Sequence, residues 1–210
     1  MSKSGRPSIL DNLQPETGHG DGLAYLAGDI RRRHPLSVAT GYVNLGGLHH
    51  LAVAVEDTRA TRLLLGAAPG AGLGTEVPGT LFERTLRALR SERDLSRFPP
   101  SRALQRLMGI EAWLDRPNVE VRRYVKKFLH GKAYLFGDRS DARAALVTSA
   151  NLTAAGMWQN LELGLVHYDP PVAERAIEWF DSLWEDATDY KEALRELLFP
   201  DMSLLDPRTV

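Results

Sequence analysis

His130, Lys132, Ser149, Asn151 and Glu162 punctuate an otherwise apolar run, HGKAYLFGDRSDARAALVTSANLTAAGMWQNLELG, at residues 130–164. Side chains alternate along a strand, so a strand here puts His130 and Lys132 on one face, with Gly131 and Ala133 on the other. Ser149 and Asn151, again two apart, come at the end of the next apolar run, 17 residues after Lys132, and Glu162 follows eleven residues after Asn151. Five polar groups are thereby expected at adjacent strand ends. A neutral imidazole can attack phosphorus and form a covalent phosphohistidine, splitting one difficult displacement into two easier ones. The phosphoryl oxygens then need cations or donors, which the Lys132 ammonium, the Asn151 amide and the Ser149 hydroxyl supply. Such a site requires no metal and no cofactor.

The His-x-Lys pair alone means little: six His and five Lys in 210 residues produce one by accident in about one shuffled sequence in seven. The ordered set of five, embedded in strand patterns, is far rarer. Other motifs are weaker. His49 and His50 diverge on a helix and no carboxylate stands at ligand spacing, so packing is expected of them rather than a metal site. GAAPGAGLG lacks the fingerprint of a phosphate-binding glycine loop. Trp179 and Trp184, among Ile177, Phe180 and Leu183, read as core or dimer packing rather than base-stacking surface.

The elements that must position the five residues follow from periodicity. Residues 1–22, rich in Gly, Pro, Ser and Asp, read as a poorly ordered lead-in, with a single domain over 23–210. GLAYLAGDIRRRH predicts a short helix. PLSVATGYVN (35–44), LGGLHHLAVAVED and ATRLLLGAA predict strand, helix and strand, a right-handed βαβ unit. TLFERTLRALRSERDLSRF and SRALQRLMGIEAWLD carry leucines at helical spacing, separated by Pro99 and Pro100. VEVRRYVKKF, HGKAYLFG, RAALVTSA and LELGLVHY then predict four strands, and PVAERAIEWFDSLWEDA a helix with proline at its start. The fold class is α/β, a mixed β-sheet with helices on both faces.

Composition excludes several function classes. There is no cysteine, which removes disulfides, thiolate nucleophiles and cysteine-zinc sites and fits a cytoplasmic protein. No run of 18 apolar residues occurs and the N-terminal stretch lacks a signal-peptide core, so neither a membrane span nor secretion is expected. With a formal net charge of -1, nucleic acid has no global basic field to follow and needs a local patch. RRYVKKFLHGK provides one: Arg122, Arg123, Lys126, Lys127 and Lys132 within eleven residues, a density suited to phosphodiester backbone contacts and equally to a solvated strand edge.

HGKAYLF…ALVTSANLTAAGMWQNLELG resembles the His-Lys signature of the phospholipase D superfamily, with SANLT…G…NLE similar to the second half of that motif, over roughly residues 119–187. The upstream LSVATGYVNLGGLHHLA…TRLLLGA resembles the phospholipase D-like domains of bacterial helicases and of DISARM-type phage-defence proteins. One departure stands out. The family often has Asp five residues after the motif Lys, where this chain has Gly137 and places Asp138 one further on.

The resemblance implies a phospholipase D-like α/β/α sandwich with His130 as nucleophile and Glu162 accepting the second imidazole N–H. It also implies that a second His-Lys motif supplies the acid that protonates the leaving oxygen. This chain has one such motif and no internal repeat. The expected partner is therefore a second copy in a homodimer with a composite site, or a different chain that carries the second motif. The leading expectation is a metal-independent nuclease acting on DNA or RNA, in phage defence beside a helicase. The alternatives are a catalytically weak nucleic-acid-binding or assembly subunit of a helicase complex, and a lipid phosphodiesterase.

Overall fold

The central strands of this chain bury both faces, and that double burial dictates the layers. In the computed structural model, which describes residues 8–13, 25, 28, 34–55, 59–67, 90–91 and 102–199, eight strands form one mixed sheet. In chain order they are β1 (Ile9–Leu10), β2 (Leu36–Thr40), β3 (Thr61–Ala67), β4 (Val119–Phe128), β5 (Ala133–Phe136), β6 (Ala144–Thr148), β7 (Gly164–His167) and β8 (Thr188–Asp189). Their spatial order is β1-β7-β6-β5-β2-β3-β4-β8. The β2, β3 and β4 strands run parallel and the remaining pairings are antiparallel.

Alternation sorts the core into two halves. Leu36, Val38, Leu63, Leu65, Tyr134, Phe136 and Leu146 pack on one side with α1 (Leu45–Ala54), α2 (Arg102–Leu114), α3 (Ala154–Trp158) and α5 (Lys191–Leu198). Ala39, Leu64, Ala133, Leu135 and Ala145 pack on the other with Ala173, Ile177, Phe180 and Trp184 of α4 (Pro170–Glu185). Helices thus cover both faces, as expected. Among the described residues, no helix is long and apolar enough to cross a membrane.

Local chemistry sets the element ends. Asn44 caps α1, its Oδ1 accepting from Gly47 N at 2.8 Å, and the same oxygen accepts from Ala154 N at 3.3 Å, tying α1 to α3. Thr153 caps α3 by accepting from Gly156 N at 2.9 Å. Proline opens α4, where its missing N–H costs no helical bond. Asp181 of α4 forms an ion pair with Arg62 of β3 at 2.8 Å and accepts from Arg139 of the β5–β6 turn at 2.7 Å, clamping helix to sheet. In that turn Gly137 takes φ +101°, and a Cβ there would lie 2.1 Å from Asp141 O. Asp138 caps the turn through Ser140 N, Ser140 Oγ and Asp141 N, and those bonds, led by the Ser140 hydroxyl, hold its carboxyl below the usual range. Gly and the shifted Asp138 thus serve the turn, away from the polar quintet.

Three expectations need adjustment. The strand expected over residues 130–137 begins only at Ala133, so His130 and Lys132 precede it. Within the expected lead-in, Ile9–Leu10 pairs with Gly164–Leu165 as an edge strand and Leu10 is buried. The α3, α5 and β8 elements went unread. The helix expected over residues 80–98 lies outside the described residues except for positions 90–91, and most of GLAYLAGDIRRRH lies outside them too.

Candidate active site

Register brings the carboxyl ends of β2, β3, β4 and β6 and the amino ends of β5 and β7 to one edge of the sheet. Ala39 faces Ala133, Ala133 faces Val147, Thr148 faces Gly164, and Ala67 faces Phe128. The chain leaving β4 must cross the tops of β2 and β3 to reach β5, and two glycines permit it. A Cβ on Gly41 would sit 2.8 Å from Leu129 O, and one on Gly66 would sit 2.7 Å from the same oxygen and 3.2 Å from Gly41 Cα. Leu129 itself is buried among the α4-side residues. Its backbone, pressed across these glycines, delivers His130 to the sheet edge.

There Lys132 Nζ lies 2.9 Å from His130 Nε2 and donates at 2.9 Å to His130 O. An ammonium has only donors, so Nε2 must accept and the ring proton belongs on Nδ1. The geometry therefore turns the Nε2 lone pair toward the Lys132 ammonium. His130 is exposed and Lys132 is 5% exposed. Burial pushes the Lys132 ammonium below its ordinary titration range, partly offset by the Glu162 carboxylate nearby.

That burial has a measurable consequence. Between the lowered native value and the ordinary 10.5, the unfolded chain holds more protons than the folded one, so stability rises with pH through that window. Below it both states are charged and the full desolvation cost stands. We expect Lys132→Met to raise Tm by about 2–4 °C at neutral pH, the scale of roughly 1 kcal/mol for a domain of this size. The advantage should shrink as pH approaches 10.5, while activity falls by about a hundred-fold or more with the loss of the cation. Thermal melts across pH check this; a variant less stable than the parent at neutral pH would contradict it.

Ser149 leaves β6 with its hydroxyl fully engaged, donating to Glu162 Oε2 and accepting from Leu163 N at 3.0 Å, while Ser149 N donates to Leu163 O at 3.0 Å. It holds Glu162 in place, instead of standing free as a phosphate donor. Glu162 accepts from Ser149, while the His130 ring meets Lys132 and stacks at 5.5 Å on Phe128. Asn151 sits on a loop stapled from the other side: Thr40 Oγ1 accepts from Leu152 N at 3.2 Å and Asn44 N donates to Leu152 O at 3.3 Å. Asn151 Oδ1 is buried without a partner and lies 3.9 Å from where a Gly41 Cβ would be, with His130 Cα 3.7 Å from the same point. Gly156 is needed beneath this loop, since a Cβ there would meet Asn151 O at 2.6 Å. His130, Lys132, Asn151, Ser149 and Glu162 are thus gathered on one edge.

The four basic residues ahead of them divide. Arg122 donates to Trp184 O at 2.9 Å and lies 4.7 Å from the Trp184 ring centroid. Arg123 faces the opposite side, 5.8 Å from the Tyr190 ring centroid, its pKa lowered by burial. Lys126 and Lys127 are exposed in a bulge: β4 advances from Tyr124 to Phe128 while β3 advances from Gly66 to Ala67. Lys126 pairs with Asp186 at 2.6 Å, an exposed pair of small energetic worth. His49 and His50 pack beside α2, His49 against Gly109, and burial lowers both pKa values. Thr40, Asn44, Gly41 and Gly66 were missed as positioning residues. The Asn before a helical run was a readable capping signal; the glycine contacts are long-range and leave no local trace.

Comparison with known proteins bears on this geometry. Residues 100–184, which include the whole polar quintet, match the family described as cardiolipin synthase, PLD-like domain. No curated protein matches the chain in sequence. Among solved structures, Nuc from Salmonella typhimurium, a phospholipase D family member, is 16% identical and superposes with a TM-score of 0.52 over 88% of this chain and 99% of its own. NucT from Helicobacter pylori is 14% identical, with a TM-score of 0.51 over 88% of this chain and 98% of its own. At such identities the likeness is one of fold, and it agrees with the family match that spans the site. The chain therefore has the fold of these phospholipase D-type structures, and residues 100–184 match the PLD-like domain family.

Proposed function

We propose that this chain is a metal-independent phosphodiesterase that cleaves DNA or RNA through a phosphohistidine on His130. The observation that carries the reading is the His130 Nε2 lone pair facing Lys132 Nζ at 2.9 Å on the exposed sheet edge. In the first step Nε2 bonds to phosphorus, the P–O bond to one nucleoside breaks, and the departing oxygen takes a proton. In the second, water attacks the phosphorus, the P–N bond breaks, and the imidazole is regenerated. Lys132 and Asn151 hold the phosphoryl oxygens, and Glu162, anchored by Ser149, keeps negative charge beside the cationic groups.

The proton for the departing oxygen comes from His130 of a second copy. One His-Lys motif per chain supports this pairing, and so does an exposed apolar row that begins at the site. Leu161, Leu163 and Leu165 are two apart, Leu165 faces Val147 across β6 and β7, and all four are exposed. Leu163 N is bonded to Ser149, so a second copy laid on this row reaches the reacting groups. A place beside a helicase in phage defence rests on the sequence resemblance of residues 36–67.

A lipid phosphodiester is the competing substrate. We expect purified protein to cleave a labelled oligonucleotide in EDTA and to release no headgroup from phosphatidylglycerol or phosphatidylethanolamine vesicles. Headgroup release without oligonucleotide cleavage would move the reading to lipids.

A further inference from the structure

The end of β4 places an aromatic ring directly beside the nucleophile, and a spare cation stands one residue before that ring in the chain. Phe128 is 44% exposed, and its ring centroid lies 5.5 Å from the His130 ring at an interplanar angle of 30°. One face of Phe128 thus meets the imidazole and much of the remainder is open. A bare apolar ring at a polar sheet edge costs solvation energy and stabilises little of the core, since Phe128 belongs to neither buried cluster. Lys127, its neighbour in the bulge, is exposed and has no hydrogen-bond or ion-pair partner among the described residues. The other basic residues of the stretch are occupied, Arg122 on Trp184, Arg123 beside Tyr190 and Lys126 on Asp186.

We infer that Phe128 and Lys127 form a subsite for one unpaired nucleotide next to the scissile phosphate, which makes the substrate single-stranded. The inference deepens the nuclease reading and rests on it. A flat aromatic face accepts any base by stacking, while a mobile ammonium follows the neighbouring phosphate; together these are the two elements of sequence-tolerant single-strand binding. The short gap between the two rings lets one nucleotide put its phosphate at His130 and its base on Phe128. In a duplex that base is stacked on its neighbours and turned to its complement, so the face of Phe128 finds nothing to cover it.

The test uses full-length protein and an oligonucleotide with 2-aminopurine beside the cleaved bond. In a His130→Asn background, to hold substrate without turnover, binding should quench the 2-aminopurine, and Phe128→Leu should abolish the quench. In the parent background, single strands should be cleaved at least about ten-fold faster than duplex, and Phe128→Leu should lower kcat/KM on single strands by about ten-fold. Phe128→Leu should lower cleavage of the intact strand about ten-fold more than cleavage of a strand abasic at that position. Equal loss on abasic and intact strands, equal rates on duplex and single strand, or a quench that survives Phe128→Leu would each overturn the subsite. Dissociation of Phe128→Leu to monomer with the quench intact would assign the ring to subunit pairing instead. Cleavage without stacking removes this inference alone; no oligonucleotide binding at all removes the nuclease reading with it.

Discussion

We expect His130→Ala to lower kcat for phosphodiester cleavage by about a thousand-fold or more, the scale seen when a covalent nucleophile is removed. The expected loss is chemical and not structural, because His130 is exposed and among the described residues its ring makes one hydrogen-bonding contact, to Lys132. Removing an exposed ring of this kind leaves stability within about 0.5 kcal/mol. Tm should therefore stay near the parent value, and it should rise slightly if Lys132 becomes more hydrated once Nε2 is gone. Initial rates on a labelled oligonucleotide in EDTA, read beside thermal melts of the same samples, separate the two effects. Equal rates for parent and variant would remove His130 as nucleophile.

Mixing gives the second large effect. If each composite site draws one His130 from each copy, an His130→Ala subunit spoils the parent subunit it pairs with. After subunit exchange, a nine-fold excess of His130→Ala over a fixed amount of parent protein should cut activity about ten-fold, because few parent chains then find a parent partner. Independent sites within each chain would leave activity unchanged at any excess. The exposed row of Val147, Leu161, Leu163 and Leu165 is the surface on which that exchange depends.

Much of this architecture was legible because period decides it. The bounds of β4 coincide with those read from VEVRRYVKKF, where buried Val119 and Val121 alternate with exposed Glu120. Other elements left too little pattern. A two-residue strand such as Ile9–Leu10 or Thr188–Asp189 has no period, and its pairing partner lies more than 60 residues away. The α5 helix did carry a signal, with Leu194, Leu197 and Leu198 at helical spacing, but it went unread.

The polar residues gathered on the sheet edge were readable in the sequence, their arrangement less so. His130 and Lys132 do meet, yet not through strand alternation: they precede β5, and the passage of Leu129 over Gly41 and Gly66 brings them to the edge. Counting charges made one patch of Arg122, Arg123, Lys126 and Lys127, whereas consecutive strand residues face opposite ways and the two arginines serve opposite layers. Ser149 looked like a phosphate donor by type. Only the return of β7 beside β6 shows that Glu162 and Leu163 use both capacities of its hydroxyl.

The central claim is that His130 bonds covalently to phosphorus, and alkaline quench followed by peptide mass spectrometry addresses it directly, since phosphoramidates survive base. Parent protein quenched within one turnover should yield the peptide bearing His130 heavier by one phosphodiester fragment, and His130→Ala should yield none. A quench with burst product but no modified peptide, or with the fragment on another residue, would contradict the account.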